Sequence, residues 1–171
     1  MEHDLIDQMN ELWQRERPDL DSSPLELVGR VIVIAQYLEK SVNEALSIHG
    51  LTLGQFDILA TLRRQGRQGR LTPTQLIENV MLSSGGMTNR LDRLEEAGWI
   101  QRQPDPQDRR GVVIALTRDG CKLIDGAATT RFQEAGRSML AASGQQKDVV
   151  IDYLRRWLLS LTATKSMKDD G

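Results

Sequence analysis

Scarcity frames the first reading of this chain. One cysteine, Cys121, among 171 residues excludes an internal disulfide framework and any Cys-based zinc site. The two histidines, His3 and His49, fall at helix ends with no partner motif. No phosphate-cradling glycine loop, metal quartet or nucleophile elbow occurs, and Gly85-Gly86 is not a GxGxxG. These absences argue against an enzyme and leave no catalytic residues, metal or cofactor to assign. No stretch approaches the ~20 apolar residues that span a bilayer. The acidic, amphipathic N-terminus lacks a signal-peptide h-region, so a cytoplasmic chain is expected.

Lysine is also missing, locally. Between Arg63 and Arg110 there is none, while nine arginines stand against six acids. The remainder holds 13 basic and 18 acidic residues, so the net charge of −2 hides a basic segment in an acidic chain. A concentrated positive field is the footprint of phosphate binding. Arginine also suits forked contacts to phosphates and bases better than lysine does.

That segment has a definite order. Thr72, Pro73 and Gln75 predict a capping box with proline at the first helical position, and Leu76, Ile77 and Val80 are expected to form the buried face. After a tight connection through Met81 and Leu82, Ser83 or Ser84 is expected to cap a second helix. Met87, Leu91 and Leu94 recur at i, i+4 and i+7, one apolar stripe facing a core. Gly98 follows as a C′ glycine. The opposite face carries Ser84, Thr88, Asn89, Arg90 and Arg93, residues that can enter a major groove and hydrogen-bond base edges and phosphates.

Beyond Gly98 the pattern becomes strand, turn, strand. Trp99 to Gln103 is extended and stopped by Pro104. Asp105 to Asp108 is turn chemistry, and Val112 to Leu116 returns. Arg109 and Arg110 sit at the tip beside Asp108. A narrow minor groove attracts an inserted guanidinium, and a bidentate pair with Asp108 would orient one. Two short helices followed by a basic hairpin make a winged helix-turn-helix. The candidate DNA contacts are Ser83, Ser84, Thr88, Asn89, Arg93, Asp108, Arg109 and Arg110.

The rest of the chain reads as helices. Asp4 to Glu16 places Leu5, Ile6, Met9, Leu12 and Trp13 on one face, and Pro18 ends it. Ser23-Pro24-Leu25-Glu26 predicts a capping box opening a long helix to about Ser47. Thr52 and Gln55 start a third helix, ending near Gly66 and followed by a flexible basic loop to Arg70. Thr117 caps a helix to about Ala142, Gly144 breaks it, and a last helix carries Tyr153, Leu154, Trp157, Leu158 and Leu161 before a polar tail. The expected division is 1–50 for N-terminal dimerisation helices, 51–117 for the DNA-binding lobe, 118–164 for C-terminal dimerisation helices and 165–171 for the tail. The terminal helices are apolar over a wide face, and burial in a two-fold dimer is the economical cover. Such a dimer would set two reading helices about 34 Å apart on a palindromic site.

The run DPQDRRGVVIALTRDG from Asp105 to Gly120 resembles the wing signature of the MarR family of bacterial transcription regulators, and the helix order from about Pro24 to Leu161 is similar too. The resemblance implies a mainly α fold with a small β wing, built as a dimer through its N- and C-terminal helices. By the match, Asp108 and Arg110 are the wing pair, and Ser84, Thr88, Asn89 and Arg93 are groove contacts. Trp13-Gln-Arg-Glu-Arg-Pro-Asp-Leu-Asp21, an extra N-terminal helix and its exit, together with Leu82 to Arg90, resembles the urate-responsive, PecS/HucR-like subgroup. That resemblance implies a ligand site of one tryptophan, one aspartate and two arginines, which fall on Trp13, Asp57, Arg90 and Arg102. Urate is planar and anionic; an indole can stack on it and guanidinium groups can pair with it. Asp57 would either accept a purine N–H or hold Arg90 in the free state. As ordinary surface residues, Asp57 would be solvated beside Thr61 and Arg64, and Arg102 would be a strand-edge charge. The expected function is a repressor, released from DNA by urate or a related purine. The alternative is a regulator of the same type answering a phenolic or aromatic acid, or oxidation at Cys121.

Overall fold

In the computed structural model, residues 3–66, 69–81, 86–106, 108, 110–139 and 143–169 are described. They form two compact units, residues 1–138 and 139–171.

The first unit opens with α1 (Leu5–Glu16). Asp4 caps it, accepting from the N–H groups of Ile6 at 2.8 Å and Asp7 at 3.1 Å, and the Asp7 carboxylate accepts from Asp4 N–H in return. Two orphan donors are satisfied reciprocally. Only Ile6 and Asn10 of this helix are buried. Ile6 packs on Gly29 of α2 (Ser23–Leu46), and Arg30 of α2 donates to both Asp4 and Asp7. The expected Ser23–Glu26 box does not form. The helix starts one residue earlier than predicted, with Ser22 at the cap and Pro24 in the second helical position. The Asp21 carboxylate takes the Ser23 N–H at 3.0 Å instead.

A short 3-10 turn, Ser47–His49, leads to α3 (Leu53–Arg64). Its Thr52–Gln55 box forms as expected. Next come β1 (Arg70–Leu71), α4 (Pro73–Asn79), α5 (Met87–Glu96), β2 (Ile100–Pro104), β3 (Val112–Leu116) and α6 (Arg118–Ser138). The Thr72–Gln75 box at α4 also forms. The sheet is antiparallel in the order β1-β3-β2, with Leu71 opposite Ile114 and Arg102 opposite Ile114 on the other side. β1 was read in the sequence as the end of a loop; two residues are too few to show alternation. Leu46, Ile58, Leu62, Leu76, Leu94 and Ile114 anchor one core beneath the sheet and α3 to α6.

α5 exits through Gly98 at φ 75°, the left-handed conformation that glycine adopts freely. Trp99 N–H bonds Leu94 C=O and Gly98 N–H bonds Glu95 C=O, a complete Schellman closure. α6 is fastened to this exit. Thr117 Oγ1 donates to Gly98 C=O at 2.7 Å and accepts from Gly120 N–H at 3.0 Å. A Cβ at Gly120 would lie 1.9 Å from Trp99 C=O, so no larger residue fits. Far along α6, buried Glu134 accepts from Ser41 of α2 at 2.9 Å, from Ser138 and from Arg131. Burial alone would raise the Glu134 carboxyl, but the Ser138 and Ser41 hydroxyls, with Arg131 and Arg137, outweigh it and hold it below its ordinary value.

α6 ends at Ser138, short of the expected Ala142; Leu140, Ala141 and Ala142 lie outside the described residues. In the second unit Gly144 begins a helix rather than breaking one. α7 (Gly144–Asp169) is capped by Ser143, whose hydroxyl accepts from Gln146 N–H at 3.2 Å while Gln146 Oε1 accepts from Ser143 N–H. The cap supplies the bonds that a glycine-started turn lacks. α7 runs past Thr164, where a polar tail was expected. Among the described residues no helix is long and apolar enough to cross a membrane.

Candidate nucleic-acid interface and effector residues

α5 presents two faces. Met87, Leu91 and Leu94 are buried, as their spacing predicts, while Thr88, Asn89 and Arg93 are exposed on the opposite side. The entry differs from expectation. The helix begins at Met87 with Gly86 as its cap at φ 74° and no side-chain cap bond, so neither serine starts it. A left-handed glycine makes the abrupt turn into the helix in place of a hydroxyl. Ser83 and Ser84 themselves lie outside the described residues.

The wing is the β2–β3 hairpin. Its tip closes through Asp105 N–H to Gly111 C=O and Gly111 N–H to Asp108 C=O, both 2.9 Å. The Asp108 carboxylate accepts the Arg110 backbone N–H at 2.9 Å, an Asx-type turn. Its described bond is thus to the backbone of the arginine it was expected to orient by the side chain. Arg110 is exposed, and Arg109 lies outside the described residues. Thr88, Asn89, Arg93, Asp108 and Arg110 therefore all stand on solvent-facing surfaces of the reading helix and the wing.

The segment's arginines do not all serve one purpose. Arg63 pairs with Asp125 of α6 at 2.7 Å, tying α3 to α6. Arg102 on β2 donates to Asp92 at 2.6 Å and to Glu95, both on α5, and its backbone N–H donates to Glu95 Oε1 at 2.9 Å. The Asp92 hydrogen bond, with Glu95 adding, holds the Arg102 guanidinium above its ordinary range against a partial burial penalty. Sequence reasoning passed over Asp92 and Glu95. The available signal was their i, i+3 spacing on one side of the reading helix.

The four effector candidates are placed as follows. Asp57 is 4% exposed, so the alternative that it is an ordinary solvated surface residue does not hold. It accepts the Met81 N–H at 2.6 Å, joining α3 to the chain after α4. Arg90 of α5 lies against α3, where a Cβ at Gly54 would be 2.9 Å from its Nε. Gly54 and Asp57 are one turn apart, so Asp57 and Arg90 share the α3–α5 junction. Arg102 is engaged at Asp92 and Glu95, two and five residues on from Arg90 and so on other sides of α5. Trp13 is 45% exposed on α1, beside Met9, Leu12 and Glu16 in an open hollow of about 290 Å³. No described contact joins Trp13 to the other three. Cys121, partly buried in the first turn of α6, lines a separate hollow with Arg63, Thr117, Arg118, Lys122 and Asp125.

The model of the MarR family matches residues 51–112, the lobe from α3 to the start of β3. The HTH-type transcriptional regulator PecS of Dickeya dadantii is 41% identical over 113 residues, 66% of this chain and 68% of PecS. The multiple antibiotic resistance protein MarR of Salmonella typhimurium is 30% identical over 133 residues, 77% of this chain and 90% of that protein. Among solved structures, a cysteine-to-serine mutant of MarR from E. coli complexed with operator DNA is 27% identical with a TM-score of 0.63, covering 86% of this chain and 98% of that one. These relatives are transcription regulators and not enzymes.

Proposed function

The chain belongs to the MarR family of DNA-binding transcription regulators, and from that premise we propose that it is a homodimeric repressor released from a palindromic operator by urate or a related purine. The operator is gripped by α5 in the major groove and by the wing arginines, Arg110 foremost, in the flanking minor groove. A regulator acting on DNA in this way works in the cytoplasm.

The observation that carries the effector reading is the α3–α5 junction. Asp57 is buried there and Arg90 leans on the same flank of α3, so a ligand that engages either group acts on the reading helix itself. Trp13, Asp57, Arg90 and Arg102 are the proposed ligand residues, with the indole stacking on the ring and the arginines matching its charge. Such a ligand has to draw Arg102 away from Asp92 and Glu95. A full switch requires the released form to be preferred by about 5 kcal/mol.

Dimerisation is supported by what the folded chain leaves open. Leu12, Ile34 and Tyr37 of α1 and α2 and Leu158, Leu159 and Leu161 of α7 are all exposed large apolar side chains. In this reading residues 1–50 and 118–164 make the dimer and residues 51–117 read the DNA.

The test is a titration of the promoter region beside its own gene at fixed salt, with and without urate. Release by urate but not by salicylate is the expected result. Tight binding indifferent to urate removes the purine and keeps the regulator; release by salicylate alone transfers the site to an aromatic acid. Arg110→Ala should weaken binding and lower the salt slope by about 1; unchanged affinity would show that the wing does not touch DNA.

A further inference from the structure

We propose that Asp92 and Glu95 are an electrostatic brake on DNA binding, and that Arg102 eases the brake by offsetting one of their two negative charges from β2. Both acids belong to the reading helix. Asp92 follows Asn89 by three residues and Thr88 by four, so it borders the exposed face directly, next to Arg93. Glu95 stands one turn nearer the wing. Their side chains are 49% and 36% exposed, open enough to feel a phosphate within the ~10 Å over which salt leaves charges unscreened.

A carboxylate on a helix that must approach a polyanion is a liability unless something offsets it. Arg102 does so with separate guanidinium nitrogens, one to each acid. Its backbone N–H also bonds Glu95, so Glu95 stays in place when the side chain is lost or drawn elsewhere. Removing the guanidinium therefore unmasks the charge without releasing the group that carries it. A ligand anion that captures Arg102 would unmask both acids as it binds. This last step rests on the effector reading above; the brake itself does not.

Four proteins decide the matter: the unaltered chain, Arg102→Gln, Asp92→Asn/Glu95→Gln, and the triple variant, each titrated with the same promoter DNA without ligand. Arg102→Gln should bind about tenfold more weakly, the scale of one unit charge about 10 Å from a phosphate near a protein surface. The gap should narrow as salt rises from about 50 to about 200 mM. The acid-free double variant should bind at least as tightly as the unaltered chain. Removing both acids from Arg102→Gln, the triple variant, should restore affinity to at least that of the unaltered chain, because two negative charges are lost for one positive. A triple variant still as weak as Arg102→Gln would overturn the proposal, because Arg102 would then act on DNA directly and not through the acids. Weaker binding by the double variant would overturn it too, and that arm survives misfolding of the single variant. With urate as probe, the double variant should bind the purine and lose about tenfold less of its DNA affinity than the unaltered chain loses. Failure of urate to bind the unaltered chain would remove the effector reading and leave the ligand-free arms to judge the brake.

Discussion

α1 and α5 are written in the same amphipathic pattern and meet opposite fates. α5 turns its apolar stripe into the chain, with Met87, Leu91 and Leu94 all buried. α1 buries Ile6 and polar Asn10, while Leu5, Leu12 and Trp13 face out, Leu12 at 55% exposure. What holds each helix differs accordingly. α5 is set by core packing, α1 by one isoleucine on Gly29 and a clasp from Arg30 to Asp4 and Asp7. The lesson is that periodicity tells which face of a helix is apolar and nothing about whose surface covers it. One face completes the core of the fold; the other is left open to solvent.

The comparison can be broken most forcefully at its apolar positions. Leu94→Ala should cost about 2–5 kcal/mol in chemical denaturation, the range for emptying a packed leucine site. Leu12→Ala should stay within about 0.5 kcal/mol in dilute solution and lose stability only at concentrations where copies associate. Equal losses at both sites would mean that α1 is as much a part of the monomer core as α5.

Next in size is a gain. The amide nitrogen and oxygen of Asn10 and the hydroxyl of Ser22 are buried without a hydrogen-bond partner among the described residues. Such groups are costly to bury, so Asn10→Leu should raise the stability of α1 docking by about 1–2 kcal/mol, read as slower amide exchange across α1 alone. Slower exchange in α5 as well would show that the two helices are one cooperative unit. Loss of the Thr72 cap beside the reading helix should cost about 1 kcal/mol in Thr72→Ala, measured as a shift in the urea midpoint.

The smallest effect is one of pH. The Arg30 hydrogen bond holds Asp4 below the ordinary carboxyl range, and the Asp4 backbone N–H followed by Arg30 does the same for Asp7. A depressed carboxyl contributes its stability above the unfolded value, near 4, and loses it as pH falls through the lower folded value. Acid below about pH 4 should therefore loosen α1 while α5 amides stay protected. Loosening of α1 on raising the pH instead would show that the clasp is not what retains it.

How much was legible beforehand follows the same divide between local and distant chemistry. The Thr52 and Thr72 boxes, the α5 stripe and the Gly98 exit were readable because donor and acceptor lie within one turn of each other. The start of α7 is just as local, but a glycine reads as a helix breaker unless the Ser143–Gln146 cap beside it is counted. The burial of Asp57 was not legible, since it depends on Met81, 24 residues away. The Arg30 clasp, spanning 26 residues to Asp4, and the strand pairing that brings Arg102 to α5 were hidden for the same reason. Of the candidate site, the exposed face of α5 and the wing were readable from spacing; the pairing of Arg102 with Asp92 and Glu95 became visible only with the sheet in place.

The joint at Gly120 makes α6 a lever. Its first turn is welded to the exit of α5 through Thr117 and the Trp99 carbonyl, while its far end holds Ser41 of α2 through Glu134. Fourteen residues of helix separate the two points, an arm of about 21 Å at 1.5 Å per residue. A rotation of about 10° at the joint swings the far end by about 4 Å over that arm, more than the 2.9 Å length of the Ser41–Glu134 hydrogen bond. Any reorientation of the reading lobe that α6 follows is thus amplified at its distal end, where a single buried carboxylate registers it.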